Sequence, residues 1–276
     1  MDLPVIADRM ARRFGDRVRP WTADLPDRLS RIADDWGLRL GEVFPDGNSA
    51  VALRAERDGV AVVLKVSPDV LFAAEQAEIL RGLAPSGRVP AVLAEDPSEG
   101  AVLLEFVDGT VGWPSPQRFG ALLSALHAAV AEPRALSRAD LWEVPDLFKA
   151  RFGPLGPVTP DDLRVAWERS KRMLAGQGDP VLLHGDLHVH NLLDAGPDRG
   201  LVVIDPQGTL GEPEFDAVDY VLAGPDIPTR RDALLAVTTL DPIRLDGWCR
   251  AMAPYVAVSA TRLGKPTDEL LAYARE

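Results

Sequence analysis

Cysteine occurs once in 276 residues, at Cys249, so no internal disulfide can form and a reducing compartment, the cytoplasm, is predicted. No nucleophile signature surrounds that thiol, which reads as a small, partly buried side chain rather than a catalyst. Long apolar runs are lacking as well: nothing approaches the roughly 20 residues that a membrane-spanning helix needs. The first thirty residues are broken by Asp2, Asp8, Arg9, Arg12, Arg13 and Asp16, so no secretory signal is predicted. Basic charge is in deficit, with 30 Lys and Arg against 42 Asp and Glu and a net charge of -12. That balance argues against nucleic acid as the main partner, because phosphate backbones want a basic surface. It would draw in a polycationic small molecule and repel a polyanionic one, although acidity for solubility alone explains it equally well. Repeats and low-complexity tracts are also missing. What remains, 46% hydrophobic and 26% charged residues, describes a globular chain large enough for one big domain or two lobes.

Two short β-type runs, residues 181–183 and 201–204, flank His184-Gly185-Asp186-Leu187-His188-Val189-His190-Asn191, and the second ends on Asp205-Pro206. They deliver an Asp, an Asn five residues on, and a second Asp at a strand end to one place. Phosphoryl transfer from a magnesium nucleotide requires that set: one carboxylate to orient or accept the acceptor hydroxyl's proton, and an amide oxygen and a second carboxylate to hold the metal. Asp186 is the candidate base; Asn191 and Asp205 are the candidate Mg²⁺ ligands. Three of the four histidines (His184, His188, His190) crowd the same motif, and imidazole suits zinc, so a metal-dependent hydrolase is the rival reading. It leaves the upstream pattern unexplained, and the only other histidine is His127. A non-catalytic binding protein would be expected to lose Asp186, Asn191, Asp205 or Lys65, and all four are present.

Residues 4–14 and 24–36 carry helical periodicity, the second through Leu25, Leu29, Ile32, Ala33 and Trp36. Trp21 and Trp36 read as core anchors. Residues 39–44, 50–55 and 60–66 read as strands, with Asp58-Gly59 as a hairpin turn. The turn at 45–49 offers the amides of Gly47, Asn48 and Ser49 to phosphate oxygens, or is simply a hairpin turn. Lys65 is the only lysine before Lys149 and sits in Val62-Val63-Leu64-Lys65-Val66. A buried ammonium needs partners, so Lys65 is the candidate nucleotide lysine, with a water-facing edge lysine as the alternative. A helix over 70–83 should supply its acid, Glu75, which shares a face with Leu71, Phe72 and Ile79; Glu78 is the alternative. Strands at 91–94 and 101–106 lead to Glu105, Phe106 and Val107, a hinge whose backbone would bond adenine. Helices are predicted over 117–131, within 133–178, and over 215–223, 229–240 and 242–274. His127 reads as a satisfied structural histidine. Glu212, Glu214, Asp219 and Asp226 make the last region acidic, either as ordinary surface charge or to meet cationic groups of an acceptor.

The HGDLHxxN segment followed by Ile204-Asp205-Pro206 resembles the catalytic and metal-binding segments of the aminoglycoside phosphotransferases, relatives of the protein kinases. Trp36-Gly37-Leu38, Leu103-Leu104-Glu105-Phe106-Val107-Asp108-Gly109, Leu126-His127 and Gly211-Glu212-Pro213 are similar to the streptomycin and hydroxyurea phosphotransferase branch. The resemblance runs from about residue 20 to about residue 225. It implies an α+β, protein-kinase-like two-lobed fold, with a small N-terminal antiparallel sheet lobe and a larger, mainly helical C-terminal lobe. The expected domains are residues 1–36, helices packing on the small lobe; 37–107, the β-rich nucleotide-binding lobe with one helix; and 108–276, the helical lobe with catalytic loop and acceptor-binding helices. The implied activity is ATP-dependent O-phosphorylation of a small molecule, with ATP and Mg²⁺ as cofactors, no nucleic acid or membrane partner, and a monomer or weak dimer as the working form. A streptomycin-type aminoglycoside is the first acceptor it implies, then hydroxyurea, then a sugar or amino alcohol. Asp216 resembles the family aspartate that braces the catalytic loop by accepting backbone amides, and His184 should hold the turn near Asp205. Asp205-Pro206-Gln207 stands where protein kinases have D-F-G, so their phenylalanine switch is lacking.

Overall fold

A computed structural model describes residues 1–45, 47, 49–129 and 155–276. The chain divides into two compact units, Met1–Ala84 with Val89–Asp108, and Pro85–Arg88 with Gly109–Glu276.

The first unit is built on a five-stranded antiparallel sheet in the order β1-β2-β3-β5-β4. Its strands are β1 (Arg39–Val43), β2 (Val51–Arg57), β3 (Val60–Val66), β4 (Val92–Asp96) and β5 (Ala101–Glu105). Side chains alternate across a strand, so Val62, Leu64 and Val66 of β3 share one face while Val63 and Lys65 share the other. The all-apolar face joins the core formed with two N-terminal helices, α1 (Leu3–Phe14) and α2 (Arg19–Trp36), through Ile6, Met10, Leu25, Leu29 and Ile32. Trp21 and Trp36 pack against that core. Asp2 caps α1 by accepting Val5 N–H at 3.2 Å, and Gly37 ends α2 in the left-handed conformation, φ 64°, where a β-carbon would be strained. Predicted to begin at residue 24, α2 starts five residues earlier, because Pro20 fits a first helical turn whose N–H groups need no partner. Helix α3 (Val70–Leu83), capped by Asp69, follows β3.

In the second unit, β7 (Val181–Leu183) pairs with β10 (Thr209–Gly211), and β8 (Leu192–Asp194) lies between β6 (Thr110–Val111) and β9 (Leu201–Val203). Around these short strands stand helices Pro116–His127, Pro160–Ala175, Ile227–Leu235, Pro242–Arg262 and Asp268–Arg275. The Pro160–Ala175 helix begins in a reciprocal capping box between Thr159 and Asp162, and Asp162 also takes both arms of Arg275. The single long helix predicted over 242–274 is two, broken where Gly264 turns left-handed at φ 65°. Trp248 and Cys249 are fully buried in the Pro242–Arg262 helix, and burial pushes the Cys249 thiol far above its ordinary range. The helix predicted over 117–131 ends at His127, short of its expected end, and the predicted helical stretch from 133 up to residue 154 lies outside the described residues. No helix among the described residues is long and apolar enough to cross a membrane.

Candidate functional site

His184 follows directly on β7, and its side chain is completely buried. Its ring Nε2 lies 2.9 Å from the Ile204 carbonyl, which can only accept, and its Nδ1 accepts the Asp186 N–H at 3.3 Å. The two contacts together require the neutral tautomer protonated on Nε2, and burial depresses the ring's pKa in the same sense. The His184 carbonyl in turn accepts the amides of Gln207 and Gly208, at 2.9 and 3.0 Å. The segment carrying Asp205 is therefore lashed to the loop carrying Asp186. Asn191 closes the loop: its Nδ2 donates to the Asp186 carbonyl at 2.8 Å, its own carbonyl accepts Ile204 N–H, and its Oδ1 is turned to the other side. Asp205 itself is left-handed, φ 58°, an uncommon conformation for a residue with a β-carbon.

Asp216 braces the loop from beneath. It is 2% exposed and accepts the amides of His184 and Gly185, both at 2.9 Å, while His127 Nε2 lies 3.0 Å from its Oδ2. Burial alone would raise this carboxyl's pKa; the His127 bond, the neighbouring imidazoles and the Gly185 amide outweigh it and hold the pKa low. The His127 side of this brace is what sequence reasoning missed. A histidine and an aspartate 89 residues apart give no local signal of pairing.

The remaining histidines fit a zinc site poorly. Both ring nitrogens of His184 are committed, His190 is exposed, and no three His, Cys, Asp or Glu among the described residues converge on a common point. His188 Nε2 stands 3.8 Å from Asp186 Oδ2, beyond hydrogen-bond range.

The acidic quartet is mostly structural. Glu212 is 4% exposed, takes two bonds from Arg244 and another from the Trp248 indole N–H. Glu214 accepts Asp241 N–H at 2.8 Å, and Asp226 caps a helix through Thr229 N–H. Glu212 and Glu214 are thus buried structural charges, closed to an acceptor, whereas Asp226 is an exposed surface cap. Asp219 differs: half-buried near Asp186, it accepts no hydrogen bond among the described residues, and burial, then the Asp186 charge, push its pKa up to about 6.

In the first unit, Lys65 is 9% exposed and donates from Nζ to Gln76 Oε1 at 2.5 Å. Glu75 and Glu78, the expected partners, are both exposed. The register differs because Leu71 points outward, 72% exposed, while Ala73, Ala77, Leu80 and Leu83 face in, which turns Gln76 toward the sheet. The Glu105 carboxylate accepts Ala91 N–H at 3.0 Å and its N–H goes to Ala91 carbonyl at 2.9 Å, so side chain and amide are both engaged there. Arg54 stacks over the Phe106 ring at 4.5 Å. Asn48 lies outside the described residues; Ser49 offers its carbonyl to Ser67 Oγ at 2.7 Å, so that oxygen serves the loop.

Comparison with known proteins adds to this geometry. A family model described as phosphotransferase enzyme family matches residues 41–251. The streptomycin 6-kinase of Streptomyces glaucescens is 29% identical over 269 residues, covering 88% of this chain and 85% of that protein. The hydroxyurea phosphotransferase of Kitasatospora aureofaciens is 27% identical over 270 residues, covering 90% and 77%. Among solved structures, a thermostable mutant of the aminoglycoside phosphotransferase APH(4)-Ia, in ternary complex with ADP and hygromycin B, aligns with a TM-score of 0.59 and 15% identity over 89% of this chain and 94% of that one. At that identity the likeness is one of fold, and the architecture is kinase-like.

Proposed function

Because the chain belongs to the phosphotransferase enzyme family, we propose that this small-molecule kinase moves the γ-phosphate of ATP to a hydroxyl of an aminoglycoside of the streptomycin type. Hydroxyurea is the next candidate acceptor, then a sugar or amino alcohol. One observation carries the site assignment: the His184–Ile204 bond, with the Gln207 and Gly208 amides on the His184 carbonyl, fastens the Asp205 segment to the loop holding Asp186 and Asn191. Two carboxylates and an amide oxygen are thereby gathered in one part of the second unit.

The donor set suits Mg²⁺, a hard cation that takes oxygen ligands. Asn191 is fixed with its nitrogen on the Asp186 carbonyl, which leaves its oxygen for a cation, and Asp205 supplies a carboxylate. Bound there with the nucleotide, the metal would neutralise phosphate charge. Asp186 is left to orient the acceptor hydroxyl and take its proton as the hydroxyl oxygen bonds the γ-phosphorus and the bond from that phosphorus to the bridging oxygen breaks, releasing ADP. The transition state is largely dissociative, so holding the reactants in line outweighs the proton abstraction itself. In the first unit, Lys65 is assigned to the α- and β-phosphates, and the backbone of 105–107 to adenine. The Glu105 carboxylate, already bonded to Ala91 N–H, has no role on the nucleotide.

ATP consumption measured across aminoglycosides, hydroxyurea, amino sugars and amino alcohols tests the reading, with Asp186→Asn as the blank. Acceptor-dependent turnover is expected, and Asp186→Ala should lower kcat by ~10²–10⁴ with nucleotide binding nearly kept. Near-full turnover by the Asp186 variants on the preferred acceptor would remove the base assignment.

A further inference from the structure

Lys65 and Gln76 form a buried pair in which the ammonium meets a neutral oxygen. Both side chains are more than nine-tenths buried, and Nζ reaches Gln76 Oε1 at 2.5 Å. They line one crevice with Ser67, Phe72, Gly100 and Val102, and it is too narrow to admit a water-sized sphere. The acids one residue before and two after, Glu75 and Glu78, are turned outward.

We propose that Gln76 is the positioning residue for Lys65, holding the nucleotide lysine through an amide so that this contact adds no negative charge beside the phosphates. The inference rests on the assignment of Lys65 to the nucleotide. An acid here would pair with the ammonium but would also face the nucleotide's own anionic groups a few ångströms further on. In a chain with a net charge of -12, whose general field already opposes a polyphosphate, a neutral anchor spares the site one more repulsive charge. The Gln76 oxygen still accepts the N–H bond, so direction is kept.

The consequence runs against intuition: Gln76→Glu, which keeps the shape and puts a carboxylate against the ammonium, should weaken nucleotide binding. Titration calorimetry on the full chain with Mg²⁺-ADP and, separately, adenosine separates a phosphate effect from a general one. Gln76→Glu is expected to bind ADP about tenfold more weakly, the scale of one extra charge several ångströms away at intermediate dielectric, with adenosine unchanged. Gln76→Leu, which removes the acceptor, should show the same split, and its melting curve checks that it folds. Lys65→Met is the control for the underlying assignment. If Lys65→Met leaves ADP affinity unchanged, the nucleotide role of Lys65 falls, and this inference with it. If Lys65→Met weakens ADP binding while Gln76→Glu binds ADP as tightly as the natural chain, or loses ADP and adenosine equally, Gln76 alone is overturned.

Discussion

Asp216 receives two backbone amides and an imidazole on one buried carboxylate, so its removal orphans three polar groups at once. Asp216→Ala should therefore destabilise the fold by about 3–5 kcal/mol, the scale for stripping a buried charge network of one partner, and denaturant melts would read it. His127→Ala leaves both amides satisfied and should cost less. Asp205 gives the opposite pairing of effects. Its left-handed backbone suits glycine, so Asp205→Gly is expected to keep or raise the melting temperature while calorimetry shows Mg²⁺-nucleotide binding lost. Asp219 is a third case. A carboxyl with its folded pKa raised from 3.8 to about 6 penalises the native state above pH 6, and the penalty fades as pH falls toward 3.8. Asp219→Asn should thus stabilise the protein at pH 7.5 by about 1–2 kcal/mol, discounted for partial exposure, and by nothing below pH 4. Equal melting curves for the two proteins at pH 7.5 would contradict that account.

Single elements show which features a sequence can announce. Helix α3 was legible to its ends, yet its inward face was not. Large side chains such as Leu71 advertise burial, but packing here uses Ala73 and Ala77, and so Gln76 rather than Glu75 meets Lys65. The tie between the 184–191 loop and the Asp205 segment was legible because a histidine at the head of the motif was expected to hold that turn, and the His184 ring does bond the Ile204 carbonyl. The roles of Glu212 and Glu214 were not, since their partners Arg244, Trp248 and Asp241 arrive 27 to 36 residues later. Helix α2 offers a direct check on the first unit's core: Leu29 is 3% exposed against the β2 and β3 side chains. Leu29→Ala should cost about 2–5 kcal/mol by lost transfer energy and an unfilled cavity. A loss below 1 kcal/mol in urea titration would mean that α2 is not held by that face.

Across the whole molecule, acid sensitivity sums opposing groups. His184 is buried neutral with its pKa below 6.5, so the unfolded chain binds its proton more readily; that stability is present above pH 6.5 and lost as pH falls through the folded value. Asp216, with its pKa held below 3.8, adds a second loss below that value. Asp219 offsets part of the first loss, so thermal melts should decline gently from pH 6.5 to 4 and steeply beneath it. The family match spans residues 41–251, but the first unit's core draws on Ile6, Met10, Leu25, Leu29 and Ile32, and the helix around Trp248 runs on to Arg262. A fragment trimmed to the matched span is expected to show no cooperative melting. The sequestered sulfhydryl at position 249 has a practical corollary. Maleimide reagents should pass the native chain by, so one cysteine engineered onto any outer surface would become the sole attachment point for a dye or spin label, with no need to delete the original.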